Sequence, residues 1–385
     1  MPNLILLSLL AAFPPLATDM YLPAIPTLQN MWGIPLVEAN LSLVIFFIVF
    51  SGFLLVYGPL SDRIGRKPVL IGGILVFIFG SLLCAASNSI GFLVAARAVQ
   101  ASGAAAASAL ALALSKDLYE GAERQKILAY IGVIMAFCPM LAPTLGGLML
   151  EVGSWRWIFI AQGAMALVAL YGTVRLGEPL TEFTSGGVLA VAGRYVSVFK
   201  NGRFTAMALA FSVMVFPHFA FIGGSPAIYI TGFSMSEQMF GVYFGLNALG
   251  LMVGSLACTR LAGGVKPMHA LIGSLCVIFL AGCLMLLLGG SSPLAVALPM
   301  FLITFAVGFS RPISNSMVLD QVDKDIGAAS SVMTFEMFLV GGIAMEIISL
   351  DWHSKVMVLG ALALIGGVVP LAGLGAMRLA TNRAK

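Results

Sequence analysis

Charge is what this sequence most lacks. Only 9% of its 385 residues are Asp, Glu, Lys or Arg, and 60% are hydrophobic, against roughly 25% charged in an average soluble domain. A chain of this size cannot hide so much apolar surface in water, so a soluble globular protein is excluded. Five cysteines, Cys84, Cys138, Cys258, Cys276 and Cys283, lie in apolar runs without a C-x-x-C or Cys/His grouping. They read as small buried apolar residues, which argues against a disulfide framework or a metal site. No nucleophile–base arrangement suggests an enzyme, no Walker-type glycine loop suggests ATP-driven transport within the chain, and no cofactor is implied. A basic block that would bind nucleic acid is missing as well. No basic residue precedes the first apolar run, as one would in a signal peptide, so that run is expected to stay as a transmembrane helix.

What is present is a series of long apolar runs. A helix needs about 20 apolar residues to cross a bilayer, and twelve runs meet that length. They cover 4–28, 38–59, 68–88, 91–114, 127–150, 155–176, 204–230, 240–262, 268–289, 294–317, 328–350 and 356–377. Lysine and arginine set the orientation. With the N-terminus in the cytoplasm, sixteen of the twenty basic residues fall in cytoplasmic segments, Lys355 alone in an external loop, and Arg156 at an outer helix end; Arg97 and Arg311 lie within spans. That bias places both termini inside. It also puts Trp155, Trp157 and Trp352 at the outer interface, where indole rings prefer to sit.

The longest connection divides the chain into an N-terminal six-helix bundle, 1–176, a linker, 177–203, and a C-terminal six-helix bundle, 204–385. Two short repeats support the division. Pro23-Ala24-Ile25 and Pro226-Ala227-Ile228 end spans one and seven, and Lys67-Pro68 and Lys266-Pro267 open spans three and nine. Such a pattern suits parallel repeats related by an axis along the membrane normal. Within the linker, Tyr195 to Lys200 could form a short amphipathic helix on the inner surface.

A few polar residues interrupt the apolar runs. Asp19 follows a run from Leu4 to Ala17 that has no charge. A carboxylate at that depth is costly unless it has a partner, water or a proton, so it is a candidate for function. Arg97, in span four, is a candidate partner across the first bundle. An opposed cation lowers a carboxylate's proton affinity and desolvation raises it, so together they suit a reversible proton carrier. A permanent structural pair would use the same two side chains. Gln100, one turn on, is expected to bond the backbone of span one. Glu336, in span eleven, is a second candidate acid; Glu346 reads as hydrated near the outer surface. His218, in span seven, titrates in the physiological range, although a lone histidine between helices often serves as a hydrogen bonder. Arg311 is assigned to gating or structure, paired with Asp320 or reaching the interface.

The connection between spans two and three reads Gly58-Pro59-Leu60-Ser61-Asp62-Arg63-Ile64-Gly65-Arg66-Lys67-Pro68. Its glycines allow a tight turn, Asp62 can accept from a neighbouring helix N-terminus, and Arg66 can bridge acids across a seam. The segment resembles the G-x-L-x-D-r-x-G-R-k signature of the major facilitator superfamily. Arg97-Ala98-Val99-Gln100-Ala101-Ser102-Gly103 is similar to the family's R-x-x-Q-G-x-G pattern. In span five, Pro139 followed by Ala142-Pro143-Thr144-Leu145-Gly146-Gly147 resembles the motif of its antiporters. Asp19 in D-M-Y-L-P, with Ser225-Pro226, narrows the resemblance to the bicyclomycin/chloramphenicol-resistance branch of drug:proton antiporters. Ala101 and Ala142 stand where those motifs usually have glycine, Thr259-Arg260-Leu261-Ala262-Gly263-Gly264 lacks the aspartate of the loop signature, and glutamine is usual in that branch where this chain has Glu336.

The resemblance implies an all-α fold of twelve transmembrane helices in two pseudo-symmetric bundles. It implies a monomeric, multi-pass protein of the bacterial inner membrane whose partners are protons, a small-molecule substrate and lipid. Its expected activity is export of small amphipathic drugs, such as phenicol or bicyclomycin-like compounds, against proton entry. Proton coupling is then expected at Asp19, Arg97 and Glu336. Substrate contact falls to Asp19, Tyr21, Phe137, His218, Phe335 and Glu336. A cytoplasmic gate is expected at Gly58, Asp62, Arg63, Gly65 and Arg66, and a moving seam at Pro139, Pro143, Gly146 and Gly147. A dedicated transporter of a polar metabolite, in either direction, would use the same fold. A transport-dead sensor would need a signalling domain, for which neither terminus is long enough.

Overall fold

A computed structural model describes residues 2–180, 188–261 and 264–383, with the side chains of 188–192 and 376–383 left aside. Part of the expected linker, 181–187, lies outside the described residues, as do Ala262, Gly263 and Lys385.

The described residues form helices and no strand: α1 (Pro2–Asp19), α2 (Ile25–Trp32), α3 (Leu36–Ile64), α4 (Arg66–Ala85), α5 (Ile90–Leu118), α6 (Gly121–Val152), α7 (Arg156–Arg175), α8 (Val188–Lys200), α9 (Gly202–Ser212), α10 (Phe216–Pro226), α11 (Glu237–Leu261), α12 (Pro267–Leu288), α13 (Pro293–Leu319), α14 (Ile326–Ser349) and α15 (Lys355–Arg383). Among the described residues twelve helical stretches are long and apolar enough to cross a membrane, and each overlaps one of the twelve runs read from the sequence.

Two of these stretches are not continuous α-helix. The first, Asn3–Trp32, ends its α geometry at Asp19 and resumes at Ile25 after a 3-10 turn over Leu22–Ala24. The seventh, Gly202–Gly232, is interrupted at Val213–Val215 and finishes as a π-helix over Ala227–Gly232. Both copies of Pro-Ala-Ile therefore sit at departures from α geometry. Proline has no N–H to donate and crowds the preceding turn, which is why the helix yields there.

The chain forms two compact units. One comprises Met1–Ala192 with Ser236–Val242, the other Gly193–Met235 with Tyr243–Lys385. Between membrane helices there is no hydrophobic drive, so small residues that let backbones approach decide the packing. In the first unit α5 carries such a stripe. Ala104, Ala105, Ala106 and Ala107 are fully buried, and Gly103 rests against the Phe77 backbone of α4. In the second unit, Gly308 of α13 meets the backbone of Leu251 in α11.

Two expectations change here. Trp155 is buried against Trp32 and Phe159, with ring centroids 5.7 and 6.0 Å away, so it is a core residue and not part of an aromatic belt. Trp157 and Trp352 are exposed. The linker helix is also longer than the expected 195–200 stretch, running Val188–Lys200. It is tied down by the Arg194–Asp325 pair at 3.8 Å and by Asn201, whose Nδ2 donates to the Gln321 carbonyl at 2.8 Å. Tyr195 lies on this helix; burial pushes its phenol up, opposed by a hydrogen bond with Ser331 and the charge of Arg194.

Candidate functional site

The end of α1 organises the first unit. The last four carbonyls of a helix lack intrahelical donors, and here a buried set of side chains supplies them. Gln162 Nε2 of α7 donates to the Leu16 carbonyl at 3.1 Å, and Arg97 Nη1 of α5 donates to the Ala17 carbonyl at 3.0 Å. The Thr18 carbonyl accepts from the Tyr21 backbone N–H at 3.2 Å. Arg97 also donates from Nη1 to Gln100 Oε1 at 2.5 Å and from Nε to the Ser42 carbonyl at 3.3 Å. Its guanidinium lies 4.3 Å from the ring centre of Phe46 and 5.2 Å from that of Tyr21. Gln100 Nε2 closes the network by donating to Ser81 Oγ at 2.9 Å and Gln162 Oε1 at 2.8 Å.

This corrects the expected partnership of Arg97 with Asp19. Among the described residues no ion pair joins them. The broken helix end explains the difference: its exposed carbonyls and partial negative charge attract a cation, and Arg97 caps the backbone. Gln162, not Gln100, bonds the backbone of the first span alongside it. Tyr21 is enclosed too. Its hydroxyl donates to Ser42 Oγ at 2.9 Å, and the Ser42 proton goes to the Ala39 carbonyl at 2.6 Å. Tyr21 is thus a strut of this network with no surface left for a ligand.

Asp19 is the last residue of α1 and is buried. Among the described residues its carboxyl meets one hydrogen-bonding side chain, Thr18, whose Oγ1 lies 3.0 Å from Oδ1 and 3.0 Å from the Pro14 carbonyl. The same hydroxyl lies 3.3 Å from the Pro15 carbonyl, so it is shared between the α1 backbone and the Asp19 carboxyl. A negative charge at a helix C-terminus is unfavourable.

From the other side α6 approaches this break. It stays helical through Pro139 and Pro143. Gly146 abuts the Met20 carbonyl, and Gly147 abuts the backbone of Glu237 and Gln238 at the start of α11, which belongs to the same compact unit. One of the paired glycines thus serves the Asp19 break. Cys138 of α6 lies within the electrostatic reach of Asp19, and its neighbour Phe137 is 41% exposed.

The loop signature is mostly helix. α3 continues through Gly58 and Pro59 to Ile64, Gly65 alone is non-helical with φ +105°, and α4 starts at Arg66. Arg66 is buried and bridges Asp62 of α3 at 2.5 Å and Asp117 of α5 at 2.7 Å, while Nη1 donates to Ser61 Oγ at 2.6 Å. Asp62 does not cap the neighbouring helix as expected. Glu178 does, accepting from the Arg66 and Lys67 backbone N–H groups at 2.9 Å each. Arg63 is exposed and joins no ion pair among the described residues.

In the second unit, Glu336 of α14 is only 3% exposed, and its Oε2 is enclosed without a hydrogen-bond partner. Phe335 beside it is half-buried. His218 follows the interruption in the seventh span, packed edge-on to Phe219 with centroids 5.7 Å apart, its Nδ1 enclosed and unbonded. Phe219 in turn packs on Phe338 of α14 at 5.7 Å. Glu346 also has an enclosed, unbonded Oε1, so it is not simply hydrated. Arg311 forms no ion pair with Asp320.

Ser42, Ser81, Gln162, Asp117 and Glu178 were not singled out in the sequence. Gln162 alone carried a usable signal, as a lone amide within an otherwise apolar span.

The family model described as Major Facilitator Superfamily matches residues 7–345. An "Uncharacterized MFS-type transporter YdgK" of Bacillus subtilis is 28% identical, over 94% of this chain and 92% of its own. A "Chloramphenicol resistance protein" of Pseudomonas aeruginosa is 28% identical, over 89% of this chain and 81% of its own. Among solved structures, that of a D-xylose-proton symporter superposes with a TM-score of 0.73 over 96% of both chains, at 13% identity, a likeness of fold alone.

Proposed function

The chain belongs to the Major Facilitator Superfamily, and from that premise we propose that it is a proton-coupled exporter of small amphipathic drugs, working by alternating access in the bacterial inner membrane. Asp19 carries the proton. The observation that supports this most is the state of that carboxyl among the described residues: it is buried at a helix break, no cation pairs with it, and its hydrogen-bond partner Thr18 is shared with the helix backbone. Broken helices are where transporters of this kind hold substrates and coupling ions. Glu336 is a second proton site in the other unit, again buried and without a compensating cation.

The coupling follows from differential affinity. In the outward-open form Asp19 takes a proton from the acidic side, which weakens substrate binding and favours the return. In the inward-open form it releases the proton, and affinity for substrate is restored. A ligand shifts such an equilibrium only by binding the two states unequally. Phe137, Phe335 and His218 are the substrate contacts, and Arg97 positions the break without carrying the proton. The placement of Lys and Arg supports cytoplasmic termini. A phenicol-like substrate is favoured by the resistance protein among the relatives.

Proton release tests the reading. Adding chloramphenicol to solubilised protein in weakly buffered solution is expected to release protons in step with binding. Binding without any proton release in the wild type would contradict the proposal.

A further inference from the structure

The second unit contains a pocket lined by the last turn of α9 and the Val213–Val215 interruption, the C-terminal part of α13 and the first turns of α14. Its most unusual member is Arg311. This arginine stands inside a membrane span, bonds to no carboxylate and donates no hydrogen bond among the described residues. Its side chain is half-buried, and among the described residues its guanidinium nitrogens are not enclosed. A cation at such a depth is costly unless something of opposite charge or water meets it.

The rest of the lining matches that need. Asn315, Ser212 and Ser330 face the same pocket, and their side chains form no hydrogen bond with described residues. Ser314 and Thr334 are already committed to the carbonyls of Arg311 and Ser330. No acidic side chain lines the pocket. Outside the lining, His218 lies within the electrostatic reach of Arg311 and keeps an enclosed, unbonded Nδ1. The lining also includes the apolar side chains Phe211, Met333 and Met337. Methionine and aromatic side chains accept varied apolar shapes.

We propose that this pocket binds the anionic headgroup of an amphipathic molecule, a carboxylate or phosphate ester held by Arg311, Asn315, Ser212 and Ser330, with its apolar body against Phe211, Met333 and Met337. Arg311 supplies the charge and a planar fork that fits such oxygens. The three neutral side chains supply the remaining donors. This deepens the transport reading and rests on it in one respect: if the ligand is cargo, the cargo is an amphipathic anion and not only a neutral drug. The same headgroup chemistry could come from a bilayer lipid.

The test measures binding and not transport. Radiolabelled decanoate is titrated into the full-length protein in phosphatidylcholine nanodiscs, with decanol as the neutral match. Decanoate is expected to bind at least tenfold more tightly than decanol, the ratio that charge-assisted hydrogen bonds supply. Arg311→Gln is expected to abolish the preference, and Arg311→Lys to keep part of it. Thermal melting of each variant confirms that it is folded. Adding phosphatidylglycerol to the discs separates the two sources: competition with decanoate identifies a lipid headgroup as an occupant, and the lack of competition points to cargo. Equal binding of decanoate and decanol, or an unchanged preference in folded Arg311→Gln, overturns the proposal. Failure of pH-driven drug export would leave this binding result standing, so the two claims fail separately.

Discussion

Gly146 of α6 lies against the backbone carbonyl of Met20, the residue that follows the end of α1, and a Cβ at that position would collide with it. α6 therefore holds the break that carries Asp19. Gly146→Ala must push the two elements apart, at a cost of about 1–3 kcal/mol for overpacking. A cost of that size shifts a two-state equilibrium by about fivefold at its lower end and more than a hundredfold at its upper end. We expect at least a fivefold loss of flux in liposomes from a protein that still folds. Flux and melting temperature both equal to wild type would contradict the contact.

Arg97→Lys tests the cap on the α1 carbonyls. An ammonium cannot serve the Ala17 carbonyl, the Ser42 carbonyl and Gln100 Oε1 from one planar group, and Arg and Lys are not equivalent at such a site. The substitution is expected to cost about 3 kcal/mol, because buried acceptors lose their donors. Thermal melting in detergent reads this directly. If Arg97 were instead the counter-ion of Asp19, lysine would preserve the charge, and stability would change little.

Asp117→Asn probes the cluster around Arg66. The arginine keeps Asp62 but loses a half-buried charged acceptor at 2.7 Å, a loss of about 2 kcal/mol. The expected result is a lower melting temperature and altered turnover with substrate affinity unchanged, because among the described residues no bond joins the cluster to Asp19. A change confined to affinity would argue against a gating role.

Cys138 offers a reporter for the Asp19 region. It is half-buried, unbridged, and within the field of Asp19. In a variant that keeps Cys138 as its only cysteine, bound chloramphenicol is expected to slow alkylation by a maleimide at least fivefold, a protection that about 1 kcal/mol of competing occupancy produces. Unchanged alkylation at saturating drug would place the substrate elsewhere.

Hydropathy made the twelve spans legible, because a bilayer-spanning helix must be apolar along most of its length. The motif residues were legible by spacing. What the sequence hid depended on tertiary structure. The prolines of the first span did not by themselves place the end of α geometry at Asp19, since Pro14 and Pro15 lie inside α1 without breaking it while Pro23 falls in the 3-10 turn that follows. Once the helix ends there, its free carbonyls claim Arg97 and Gln162, and the simple pairing of opposite charges fails. Glu178 was hidden for a different reason. It lies 112 residues from Arg66, and only the packing of α7 beside α4 brings it to that helix start. Trp155 misled because tryptophans near a span end usually face the interface, whereas this one fills a gap beside Trp32.

The central claim is that Asp19 carries the transported proton, and pH-gradient-driven flux in liposomes tests it most directly. Wild-type protein is expected to accumulate chloramphenicol in the compartment that is made acidic and to lose that accumulation when the gradient is collapsed. Asp19→Asn cannot exchange a proton, so it is expected to equilibrate drug across the membrane without concentrating it, and Glu336→Gln is expected to retain part of the accumulation. Full accumulation by Asp19→Asn under the same gradient would contradict the account.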